Sequence, residues 1–120
     1  MTAHMHRQLL ERTLFTTLKN MQLRPVKRMN FQFDPFHPQV SSIRDCLFHM
    51  NGEKLRLTNP SCSMKTEIVC DRSPPRIDLL LNEGQRYRIL TENLTLLEVV
   101  QQLDKICRQF DPKKEEESRL

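Results

Sequence analysis

The chain has 120 residues and a mass of 14.3 kDa, which leaves room for one domain around one core. Hydrophobic residues make up 38%, the mean hydropathy is -0.59, and no apolar run approaches the roughly 20 residues of a membrane-spanning helix. The net charge of +4 is unevenly spread: 1–33 carries six basic residues against one acid, 34–110 ten of each, and the last ten residues three against four. The excess positive charge therefore sits at the front, as in nucleic-acid-binding arms and in targeting peptides.

Leu10, Leu14, Leu18 and Met21 recur at helical spacing in a stretch rich in Arg and Thr, so 1–22 is expected to be a basic amphipathic helix. A mitochondrial presequence and a retained helix share this pattern, and both readings stay open. After Arg24-Pro25 the period changes to two. Met29, Phe31 and Phe33 alternate with Arg28, Asn30 and Gln32, which predicts a half-buried strand ending at Asp34-Pro35. Val40, Ile43, Leu47 and Met50 then trace one face of a helix that Asn51-Gly52 can close with a left-handed cap. The polar stretch Glu53 to Ser63, broken by Pro60, reads as a connection.

A second strand is expected where Met64, Ile68 and Cys70 alternate with Lys65, Glu67 and Val69. Beyond Pro74-Pro75, Ile77, Leu79 and Leu81 mark a third, and Tyr87 with Ile89 a fourth. Asn82 to Gln85 joins these two as a hairpin, with Gly84 free to take positive φ. Thr95 and Glu98 have the spacing of a capping box, and Leu94 with Val99 the spacing of a hydrophobic staple. The helix they open lines up Leu96, Val99, Val100, Leu103, Ile106, Cys107 and Phe110. Pro112 and the run Lys113 to Glu117 end it, and 111–120 reads as a charged, disordered tail.

The expected architecture is α/β: a four-stranded mixed sheet with two helices packed on one face, plus the N-terminal helix. The domain spans 23–110. Its order resembles the thioredoxin-like fold, whose reactive dithiol sits between the first strand and the following helix. Here that junction is Asp34-Pro35-Phe36-His37-Pro38, without sulfur. The four cysteines, Cys46, Cys62, Cys70 and Cys107, form no C-x-x-C pair for zinc or redox work. His37 and His49 are twelve apart, His4 and His6 lie in the leader, and all read as surface histidines. With two glycines there is no phosphate-cradling loop. No catalytic residue, metal site or cofactor is expected.

The remaining signal is cationic. Arg24, Lys27 and Arg28 place three positive charges in five residues beside a proline, a spacing suited to phosphates and equally to a solvated strand edge. Lys54 and Arg56 could add to it, while Lys65, Arg86 and Arg88 fall on the open sheet face, where a partner could bind. A solvated face, or one covered by the leader helix, is the alternative there.

Several short stretches in order carry a family resemblance: Leu23 to Lys27, Gln32-Phe33 with Pro35-Phe36, Ser42 and Arg44, Glu53-Lys54, Thr58-Asn59, Cys62-Ser63, Asp78 with Leu80, and Leu94-Thr95 with Leu97-Glu98. Over 23–110 the chain resembles the mitochondrial large ribosomal subunit protein 53 family; the leader before Leu23 is longer than that family's pattern. The resemblance implies a redox-inert thioredoxin-like domain of the mitochondrial large subunit, near the base of the factor-recruiting stalk. Its partners would be large-subunit rRNA and other ribosomal proteins, in the mitochondrial matrix, with no membrane or small-molecule substrate. The competing expectations are an inert accessory subunit of a respiratory complex and a thiol-disulfide oxidoreductase.

Overall fold

The computed structural model describes residues 3–112. The expected tail is thus outside the described residues except for Asp111 and Pro112. The element order is α1 (Ala3–Asn20), β1 (Val26–Phe33), α2 (Ser41–Met50), α3 (Glu53–Thr58), β2 (Ser63–Ile68), β3 (Arg76–Leu81), β4 (Arg86–Leu90) and α4 (Leu96–Gln109). The strands form one mixed sheet in the order β2-β1-β3-β4. β1 runs parallel to β2 and antiparallel to β3, and β3 pairs antiparallel with β4. The crossover through α2 and α3 makes the first pair parallel, as a strand-helix-strand connection in one sheet requires.

Alternation along each strand decides which face is covered. Met64, Met29, Leu79 and Tyr87 form one row across the sheet, and Thr66, Phe31, Ile77 and Ile89 the next. Against these rows α2 places Ile43, Cys46 and Met50, and α4 places Val99, Val100, Leu103 and Cys107, all buried. α4 begins at the expected capping box. Glu98 N donates to Thr95 Oγ1 (3.3 Å), and Thr95 N to Glu98 Oε1 (3.2 Å), so two amides with no partner in the first turn are satisfied reciprocally. The β3–β4 turn also forms as expected, with Gly84 at φ 98°. α1 packs against α4, and Leu14 and Leu18 contribute to the edge of the core while most of the helix faces outward.

Four local expectations are corrected. The stretch from Glu53 is not merely a connection: Glu53–Thr58 is a short helix anchored by buried Leu55. One and a half turns with a single apolar anchor have no readable period. Asn51-Gly52 forms no left-handed cap, because Gly52 (φ -61°, ψ 143°) is already the N-cap of α3. β2 stops at Ile68, leaving Cys70 beyond it, and Ile68 is 57% exposed although it is on the helix-bearing face. Finally, the His37 side chain is only 9% exposed, with Nε2 3.8 Å from Glu92 Oε1 and Nδ1 accepting from Gln39 N.

Candidate nucleic-acid interface

The basic run Leu23 to Arg28 is held rigidly from several directions. Leu23 is fully buried and its amide donates to Thr58 Oγ1 (3.0 Å). Asn59 Nδ2 donates to the carbonyls of Leu23 (2.8 Å) and Val26 (2.7 Å), and the Asn82 amide to the Pro25 carbonyl (2.9 Å). Gln22 accepts from Arg24 N through Oε1 and donates from Nε2 to the Cys107 carbonyl of α4. Arg24 itself makes a two-point fork with Asp111. Thr58-Asn59 and Leu23 to Lys27, separate stretches in sequence, are thus one hydrogen-bonded unit.

Immediately after this turn, β1 carries a bulge. Val26 pairs with Leu81 and Arg28 with Leu80, so Lys27 is the extra residue. The bulge lets Val26 and Met29 both face the core while Lys27 and Arg28, between them, are both exposed. Of the three cations in the run, Arg24 is engaged by Asp111, and Lys27 and Arg28 are presented to solvent.

Arg28 begins the open sheet face, where three rows cross all four strands. They are Ser63, Arg28, Leu80 and Arg86; then Lys65, Asn30, Asp78 and Arg88; then Glu67, Gln32, Arg76 and Leu90. Asp78 is shared between Arg88 Nε (2.8 Å) and Arg76 Nε (3.4 Å), and Arg76 also donates to Gln32 Oε1 (2.7 Å). Among the described residues no ion pair engages Arg28, Lys65 or Arg86. Arg28 and Lys65 line a shallow depression of about 200 Å³ together with Asn30, Glu67, Asp78 and Leu80. Asn30 Oδ1 is shut off there from solvent without a donor among the described residues.

The structure therefore joins Arg28 to Lys65, Arg86 and Arg88 on one face. Lys54 and Arg56 stand elsewhere, exposed on α3. Lys54 lines a groove with Lys19 and Phe15, and Arg56 donates to Asn51 Oδ1 (3.1 Å). Three participants escaped notice in the sequence: Asn59, Arg76 and the Lys27 bulge. Arg76 has the same parity as Asp78 and Arg88, which would have placed it on the open face; the bulge and the Asn59 clasp leave no local signature.

Of the four cysteines, Cys46, Cys62 and Cys107 are buried and Cys70 is exposed. Cys46 is fully buried in α2, and burial pushes its thiol up to about 12. Burial likewise raises Cys107 to about 12, with Asp104 nearby adding to it, and raises Cys62. Such thiols supply negligible thiolate at neutral pH. Among the described residues no group of three His, Cys, Asp or Glu side chains is placed to hold a metal ion.

A family model described as 39S ribosomal protein L53/MRP-L53 matches residues 33–84. A protein from Dictyostelium discoideum, named Large ribosomal subunit protein mL53, is 27% identical over 82 residues. The alignment covers 68% of this chain and 64% of that relative's length. The ordered short stretches resemble this same family.

Proposed function

From that similarity, we propose that the chain is a structural, non-catalytic component of the mitochondrial large ribosomal subunit, acting in mitochondrial translation. The observation that carries this reading is the family match over 33–84, which runs from the end of β1 to the β3–β4 turn. In it, the domain is a redox-inert member of the thioredoxin-like class, consistent with the β2-β1-β3-β4 order and with the sulfur-free segment 34–38. Its location is the mitochondrial matrix, at the base of the factor-recruiting stalk.

In this reading Lys27 and Arg28 contact rRNA phosphates, and Arg24 holds the turn that presents them. The open face, with Lys65, Arg86 and Arg88, continues the contact. Arg28, Lys65 and Arg86, which no ion pair engages among the described residues, suit phosphates. Lys54 and Arg56 on α3 add a second, separate set of cations toward RNA or a neighbouring ribosomal protein.

Sedimentation of a tagged chain from lysed mitochondria tests the assignment. The protein is expected in the large-subunit peak, and to leave it when the subunit is dissociated by nuclease. A protein found only at the top of the gradient, or comigrating with a respiratory complex on native gels, would refute it.

A further inference from the structure

Among the described residues the sheet ends on β2, which has a neighbour on one side only. Val69 N donates to Phe33 O (3.1 Å), so at the odd positions leading to it the backbone turns inward to β1. Met64, Thr66 and Ile68 consequently present their N–H and C=O groups to the open edge. An unpaired edge of this kind is a template for another strand. Two of the usual defences are missing, since 63–68 contains no proline and no bulge; the charges it does carry, Lys65 and Glu67, are of opposite sign, and the residues from Lys65 to Ile68 are all exposed.

The segment Ser63-Met64-Lys65-Thr66-Glu67-Ile68 is complementary to itself when reversed. With Thr66 on a two-fold axis, antiparallel pairing sets Lys65 opposite Glu67 of a second copy, and Glu67 opposite its Lys65. On the other face Met64 meets Ile68, also twice. Moving the axis one residue either way sets Lys65 against Lys65, or Glu67 against Glu67, so one register is singled out by charge. Neither Lys65 nor Glu67 has an ion pair within the chain among the described residues. The same pairing covers Ile68, which the domain's own helices leave 57% exposed.

We propose that the β2 edge is a homotypic pairing surface, through which the free chain forms a two-fold symmetric dimer by joining two sheets edge to edge. Six residues a side fall short of the roughly 1,200 Å² of a standard interface, so the dimer is reversible. The proposal does not depend on the ribosomal reading, since it concerns the isolated chain.

Sedimentation velocity of the full chain provides the test, over concentrations from about 1 to about 200 μM, the range of weak association. The average mass is expected to rise toward that of a dimer. K65E and E67K should each move the midpoint up by about tenfold or more, because each brings like charges together twice. The double variant K65E/E67K recreates both pairs with the roles exchanged, and its midpoint should return toward that of the parent. In a C70S background, T66C should form a disulfide-linked dimer on mild oxidation. Hydrogen-bonded antiparallel partners have Cα atoms about 5.5 Å apart, within the roughly 4.4–6.8 Å that a disulfide spans.

A chain that is monomeric throughout would overturn the proposal. Association unchanged in both single variants would overturn it as well, and would assign the contact to exposed apolar residues of α1 such as Leu9 and Phe15. Failure of the double variant to recover would overturn the register and with it the proposal. All three positions are exposed, so the urea midpoints of the variants should match the parent and exclude misfolding as the cause.

Discussion

Arg24 and Asp111 meet in a two-point fork, Nε to Oδ1 at 3.1 Å and Nη2 to Oδ2 at 2.9 Å, closing a span of 87 residues. The pair joins the turn before β1 to the residue that follows α4's last turn, and Asp111 raises the Arg24 pKa by accepting its hydrogen bonds. With the side chains 33% and 16% exposed, the fork is partly screened, and its worth is about 1 kcal/mol. R24A is expected to lower the urea midpoint accordingly. R24K should recover little of it, because a lysine cannot occupy both carboxylate oxygens in the planar geometry.

Lys27 and Arg28 should behave oppositely. Both are exposed at the bulge, so K27A and R28A should leave the urea midpoint unchanged. If they touch phosphates, each loss should flatten the dependence of log affinity on log salt by about 0.7–0.9 for a large-subunit rRNA fragment. Filter binding across a salt series reads this slope. A slope unchanged in the K27A/R28A double variant would remove the bulge from the interface.

Asn59 is the clasp of the whole unit, since its one amide nitrogen reaches the Leu23 and Val26 carbonyls. N59A leaves both acceptors in a largely buried turn without that donor, and is expected to cost about 2 kcal/mol. N59D should be at least as damaging, because it sets a carboxylate against carbonyl oxygens. Thermal unfolding followed by circular dichroism would show the loss.

At the start of α4, T95A removes the oxygen that accepts from Glu98 N and should cost about 1 kcal/mol. T95S preserves the acceptor and should be nearly neutral. Chemical denaturation of both variants checks the contrast.

Cys46 and Cys107 give the fold an alkaline limit. Their ordinary value is 9.0, and burial raises both to about 12 in the folded chain. The unfolded chain therefore releases these protons first. The associated stability is complete below about pH 9 and is lost as the pH rises through the folded values near 12. C46A should reduce the steepness of that decline. At neutral pH a thiol reagent should modify exposed Cys70 rapidly and the other three cysteines only on unfolding.

Periodicity and turn chemistry were sufficient for much of this architecture. The alternation of Met29, Phe31 and Phe33, the Gly84 turn, and the Thr95–Glu98 box each report on local backbone geometry. Local geometry is what neighbouring residues control through sterics and short-range hydrogen bonds. The same alternation placed Arg28, Lys65, Arg86 and Arg88 on one face, because side-chain parity along a strand survives into the sheet. The sulfur-free segment after β1 was equally legible, since the presence of an atom needs no fold to establish it.

Other features depend on groups far apart in the chain. Neither the pairing of Arg24 with Asp111 nor Asn59's hold on Leu23 and Val26 has a local trace. Ile68 follows a core-facing pattern, yet it is exposed because β2 lies at the edge of the sheet, where coverage is decided by what packs above. His37 reads as a surface residue until Glu92, 55 positions later, is brought beside it. Length, composition and pattern thus established a small α/β domain with a basic front. Only the tertiary structure distinguished the cations that stitch the domain together from those it offers to a partner, because that distinction rests on which acids the fold brings within reach.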